Sequence, residues 1–179
     1  MCKYTSNLSL HIEKGNVRID IMKELSIVKK YGRFLSLPCL NFEIEKYALS
    51  LNYKVDVVEK NKTVYKEQLK HKQKNLKLYN TDVKEFLERS PRLPYDVMYL
   101  DLCNSLSYSF MDILIRCTQR TPLLYITAMV QRSKHFKNIP GSDLEKLRRK
   151  FIENGWQIEK EFIYTNNRSK MTTFKLIAL

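Results

Sequence analysis

Between Arg33 and Met129 the chain alternates short apolar, β-prone runs with amphipathic stretches, and that rhythm leaves few folds open. The runs are Arg33 to Leu37, Tyr53 to Val58, Leu76 to Tyr79, Tyr95 to Leu100 and Leu123 to Met129, with Pro38 forcing a break after the first. Between them, Asn41 is placed to cap a helix through Ser50 whose Phe42, Ile44, Tyr47, Ala48 and Leu51 suit burial on one side. Lys62 to Lys74 reads as a basic helix, Thr81 to Glu88 as a short capped one, and Tyr108 to Arg120 as another. Strands alternating with helices predict a doubly wound α/β sheet, with right-handed crossovers putting helices on both faces.

The two ends differ from this middle. After the basic stretch Gln131 to Lys137, Ser142-Asp143 opens a helix carrying Leu144, Leu147 and Phe151 on one stripe, and Gly155 closes it. Trp156 to Tyr164 and Met171 to Leu179 then read as an antiparallel hairpin across Thr165 to Ser169, completing a seven-stranded, mostly parallel sheet. At the start, Met1 to Arg18 is polar with Gly15-Asn16 as a turn signal, which predicts an arm or small hairpin. From Asp20 a helix follows with Ile21, Leu25 and Val28 on the face that meets the sheet. The division expected is therefore residues 1–31 as amino-terminal arm and helix and 32–179 as the α/β body of a single domain.

Composition narrows the function classes. With 44% hydrophobic and 28% charged residues the chain is globular, and its net charge of +13 favours a polyanionic partner such as nucleic acid. The ordinary alternative is a solvated lysine-rich surface. Cys2, Cys39, Cys103 and Cys117 show no Cys-x-x-Cys spacing and the three His are scattered, so no metal site is expected and the thiols read as reduced, in a cytoplasmic protein. No apolar run approaches the ~20 residues needed to span a bilayer, so no membrane partner is expected.

In an open parallel sheet the carboxyl ends of the strands face the ligand crevice. Tyr95 to Ser105 passes from apolar residues to a carboxylate and then to small polar ones that suit a loop, which places Asp101 at the carboxyl end of the strand and Cys103 and Asn104 just beyond it, at that crevice. Glu59 ends Val-Asp-Val-Val in the same way, and Asp82 follows the third strand. Read alone, Glu59 could be a surface acid, Asp82 a helix cap, and Cys39 and Cys103 small buried residues.

The order of these features resembles the class I S-adenosylmethionine-dependent methyltransferases, a methyltransferase-like Rossmann fold, from about Phe34 to Leu179. The resemblance implies S-adenosylmethionine as cofactor and carries roles over by position. Glu59, with Lys60 beside it, would take the cofactor ribose, Asp82-Val83 the adenine, and the loop of Leu37, Pro38, Cys39 and Asn41 the methionine end. Asp101 would border donor and acceptor, with Asn104 at the acceptor and Cys103 as the thiolate candidate of a cytosine C5 mechanism. Arg132, Lys134, His135, Phe136 and Lys137 combine cations with an aromatic where a nucleic acid would approach.

Two departures accompany the matches. The loop after the first strand has no glycine, although family members use glycine there for close approach and positive φ. Asp101-Leu102-Cys103-Asn104 keeps the acid but neither proline of the amino-methylating pattern. A nucleic-acid methyltransferase is the first reading. A methyltransferase-like nucleic-acid-binding or protein-interaction module without catalysis is the second, and another nucleotide-binding α/β enzyme the third.

Overall fold

A computed structural model describes residues 8–28, 32–38, 42–89, 94–105, 107–118, 120–130, 141–166 and 169–179. In chain order the elements are α1 (Leu8–Val28), β1 (Arg33–Ser36), α2 (Glu43–Ser50), β2 (Lys54–Val58), α3 (Lys62–Gln68) with a 3₁₀ turn (Leu69–His71), β3 (Leu76–Tyr79) and α4 (Val83–Arg89). Then come β4 (Val97–Ser105), α5 (Tyr108–Thr118), β5 (Leu123–Met129), α6 (Asp143–Glu153), β6 (Trp156–Asn166) and β7 (Ser169–Ala178). The strands form one sheet in the order β3-β2-β1-β4-β5-β7-β6, parallel from β3 through β5 and antiparallel where β7 joins β5 and β6. The seven-stranded, doubly wound architecture expected from the sequence is the one observed.

The apolar runs are nearly continuous because both faces of the sheet are covered. Phe34, Val55, Val57, Val97 and Tyr125 face the α1 and α2 side, where Val17, Ile21, Leu25 and Ala48 meet them. Leu35, Val58, Met98, Leu100, Leu124 and Ile126 face the other side and pack with Leu87, Leu114 and Phe151. Gly32 lets the chain enter β1 closely, since a Cβ there would lie 2.6 Å from the Tyr53 ring.

The amino terminus departs from expectation. Instead of an arm followed by a helix from Asp20, one 21-residue helix runs through Gly15-Asn16. Tertiary anchoring overrides the ~1 kcal/mol cost of an interior glycine. Val17, Ile21 and Leu25 are buried, Tyr125 donates to Asp20 (2.7 Å), and Lys160 and Lys175 bind Asp20 and Glu24 (2.7 Å each). Val28 is 37% exposed, so Val17 and not Val28 completes the buried stripe. The basic helix is also shorter than expected, ending as a 3₁₀ turn at His71.

Candidate functional site

Strand order reverses direction between β1 and β4, so the carboxyl ends of these two strands flank the crevice. The segment leaving β1 is tied on both sides. Leu37 donates its N–H to Tyr99 O (3.1 Å), and the buried Gln68 carboxamide of α3 donates to Pro38 O (3.1 Å). Cys39 and Asn41 lie outside the described residues. Phe42 then opens α2 in the left-handed region, at φ 53° and ψ 32°, which is the conformation a glycine would serve. Its ring turns into the core, 2% exposed and stacked on His71 at 4.8 Å.

One strand further out, Glu59 continues β2 by donating its N–H to Tyr79 O (3.0 Å) and accepts Asn80 Nδ2 on its own carbonyl (2.7 Å). Its Oε1 accepts the Asn61 N–H (2.7 Å), and Asn61 in turn caps α3 through the N–H groups of Thr63 and Val64. Asp82 accepts the Lys84 N–H (2.9 Å), so the capping reading of this residue holds, while its second oxygen lies 3.9 Å from Lys60 Nζ. Val83 starts α4 and is buried. The ends of β2 and β3 thus bring Glu59, Lys60, Asn80, Asp82 and Val83 together. Each carboxylate commits one oxygen to a backbone N–H; the second oxygen of Asp82 faces Lys60, and that of Glu59 has no hydrogen-bond partner among the described residues.

The fourth strand does not end at Asp101. β4 continues through it to Ser105 with an irregularity between Leu100 and Asn104, because β5 extends alongside and offers backbone partners as far as Met129. Alternation puts Asp101 on the α1 face, where Lys14 Nζ lies 3.8 Å from its carboxylate and 5.8 Å from the Tyr164 ring centre. The side chains of Cys103 and Asn104, and all of Arg132, Lys134, His135, Phe136 and Lys137, lie outside the described residues. Cys117 is buried in α5, and burial pushes its thiol up to about 12, which suits packing and not nucleophilic attack.

Sequence reading missed the polar cluster beneath α1. Tyr99 is partly buried there, and burial followed by the nearby Asp101, Tyr164 and Glu45 pushes its phenol well above the ordinary value. Glu45, 2% exposed, accepts a hydrogen bond from Ser36 at the end of β1. Burial raises the Glu45 pKa despite that bond. Between the unfolded and folded pKa values the native state holds the extra proton, so stability falls as pH rises through that window. Replacing Glu45 with Gln is expected to remove this slope and raise stability at neutral pH; urea unfolding followed between about pH 4 and 8 checks it.

No family model and no curated protein matches this chain. Solved structures do. An S-adenosylmethionine-dependent methyltransferase from Agrobacterium tumefaciens superposes with a TM-score of 0.69 at 12% identity, over 98% of this chain and 65% of that one. The fold is the class I methyltransferase fold. Magnesium protoporphyrin IX methyltransferase from Synechocystis, solved with bound S-adenosylmethionine, gives 0.67 at 10% identity over 99% and 86% of the two chains. A proposed RNA methyltransferase from Pyrococcus horikoshii gives 0.62 at 14% over 99% and 90%. Within the methyltransferase fold, Glu59 and Asp82 stand after the second and third strands, and Asp101 lies inside the fourth.

Proposed function

We propose that this chain is an S-adenosylmethionine-dependent methyltransferase acting on nucleic acid. The observation that carries the reading is the pair of carboxylates, Glu59 and Asp82, at adjacent strand ends beside the switch point of a methyltransferase fold. The residues fit the cofactor. Glu59 Oε2 is left over from the Asn61 turn for a hydroxyl of the ribose, and the glycine-free loop does not turn the Phe42 ring into the crevice. Lys60, Asp82 and Val83 would border the adenine, and Leu37, Pro38, Cys39 and Asn41 the methionine end. The cofactor supplies a methyl group activated on a sulfonium. The chain's part is to align an acceptor with it, and alignment alone can supply most of the rate. Asp101, with Asn104 and Cys103 on the same strand, would take that role at the acceptor.

The fold does not choose the acceptor, since the similar structures include a porphyrin methyltransferase and a proposed RNA methyltransferase. The +13 charge favours nucleic acid, and no helix among the described residues is long and apolar enough to cross a membrane. The ion pair that Lys14 makes with Asp101 favours a second reading, a methyltransferase-like binding module without catalysis.

Calorimetric titration with S-adenosylmethionine and S-adenosylhomocysteine separates the two. Micromolar binding is expected, weakened ~10- to 100-fold in Glu59→Ala because a charged hydrogen-bond acceptor is lost. Glu59→Gln, which keeps an acceptor for the Asn61 N–H, controls for loosening of α3. No binding at millimolar ligand to folded protein would leave the module reading.

A further inference from the structure

From Lys60 to Lys77 the chain carries seven lysines against one acid, Glu67. Lys70 pairs with Glu67, and Lys60 approaches Asp82. Lys62, Lys66, Lys72, Lys74 and Lys77 are exposed and form no ion pair with the described residues. Among the described residues, cations elsewhere are arranged differently. Lys160, Lys175 and Arg148 are tied to carboxylates. Exposed ones without such a pair, such as Lys23, Lys46, Arg89, Arg149 and Lys170, are spread singly over α1, α2, α4, α6 and β7.

The fold turns this stretch into a track. α3 starts beside Glu59 at the crevice rim, and the chain descends through the 3₁₀ turn and reverses at Asn75, φ 67°, into β3, the outermost strand. Val55 donates to Asn75 O (2.8 Å), which sets Lys74 level with the amino end of β2. Positive charge therefore runs the height of the sheet edge, about 15 Å at ~3.3 Å per strand residue. An edge strand needs only one or two charges to deter pairing. Five lysines with no ion pair among the described residues gather along this edge, Lys77 on the sheet face opposite Leu76 and Leu78, and their summed potential favours an anionic partner.

We propose that this edge holds the phosphate backbone of the nucleic acid on which the crevice acts, outside the reacting nucleotide. The inference rests on the nucleic-acid reading above and names a second contact surface for it, separate from residues 131–137. Lysines act there as point charges on phosphates, so the contact positions the substrate without reading its sequence.

The test is fluorescence anisotropy of labelled single-stranded RNA and DNA oligonucleotides over a salt series. It compares the full chain, a variant with Lys62, Lys66, Lys72, Lys74 and Lys77 changed to Gln, and a charge-matched control with Lys23, Lys46, Arg89, Arg149 and Lys170 changed to Gln. The edge variant is expected to lose at least about tenfold in affinity and to lower the salt slope by about 3 to 5. The control should lose less than about threefold, with thermal midpoint and cofactor affinity unchanged in both. Equal losses in the two variants would overturn the edge and leave nucleic-acid binding standing. An absence of binding by the unaltered chain would overturn the nucleic-acid reading itself.

Discussion

Replacing Asp56 with Ala is expected to cost about 3 to 5 kcal/mol of folding stability, the largest loss from any single polar substitution discussed. Asp56 sits in the middle of β2, 3% exposed, with its side chain on the α4 side of the sheet. Arg33 Nη2 donates to it at 2.7 Å, the Tyr95 hydroxyl at 2.9 Å and the Tyr79 hydroxyl at 3.4 Å, and the Arg33 guanidinium also lies over the Tyr95 ring at 5.3 Å. One carboxylate therefore joins β1, β2, β3 and the segment entering β4. Burial, and then the Asp56 charge, pushes the Tyr95 phenol up, so that hydroxyl stays a donor throughout the physiological range. Without the carboxylate, the guanidinium loses its charge partner and Tyr95 keeps an enclosed hydroxyl with nothing to donate to. Arg33 Nε has no hydrogen-bond partner among the described residues, so no spare acceptor stands beside the guanidinium there. Urea unfolding of Asp56→Ala, Tyr95→Phe and the double variant checks the account. Tyr95→Phe should cost ~1 to 2 kcal/mol, and the double variant should cost less than the sum, as groups sharing one network do. Additive losses would show that the carboxylate and the phenol act independently.

What could be read from the chain and what could not divide along physical lines. A strand buried on both faces announces itself as an apolar run, so β5 falls on the expected residues, Leu123 to Met129, and the edge strand β3 falls on Leu76 to Tyr79 through its alternation. The cap at Ser142 was legible because a capping box is a local pattern, and Ser142 and Glu145 do bond reciprocally. Glu59 was legible for a similar reason, as an acid closing an alternating run. Asp101 was read as the end of its strand, but the strand runs on to Ser105. The residues after Asp101 lack strand propensity, and what keeps them extended is pairing with β5, which local sequence does not report. The Lys14–Asp101 contact spans a separation in sequence that no periodicity encodes, and the Gly15-Asn16 signal argued against any helix that could deliver Lys14. The lysine-rich run was visible, but only the tertiary structure separates lysines that find carboxylates from those that line one edge.

Phe42 supplies the other large effect, and its sign between two small substitutions is diagnostic. The ring is buried between α2 and the turn after α3, so Phe42→Ala is expected to cost ~3 to 5 kcal/mol through the lost burial and the stack on His71. At an ordinary helix position Gly would be worse than Ala by ~0.5 to 1 kcal/mol. Here the backbone is held at φ 53°, where a Cβ costs roughly 1 to 2 kcal/mol and glycine none. Phe42→Gly should therefore be more stable than Phe42→Ala by about 1 kcal/mol, reversing the usual order. Thermal and urea unfolding of the two variants measure this directly. The reversed order would mean that the loop takes the glycine conformation without glycine, its strain offset by an aromatic anchor. Ala more stable than Gly would mean that the loop leaves the left-handed region. In the first case both variants should also bind S-adenosylhomocysteine more weakly than the unaltered chain. The anchor that secures Phe42 to His71 acts together with the Gln68 bond to Pro38, and losing one of the two leaves the loop to be ordered at the expense of binding.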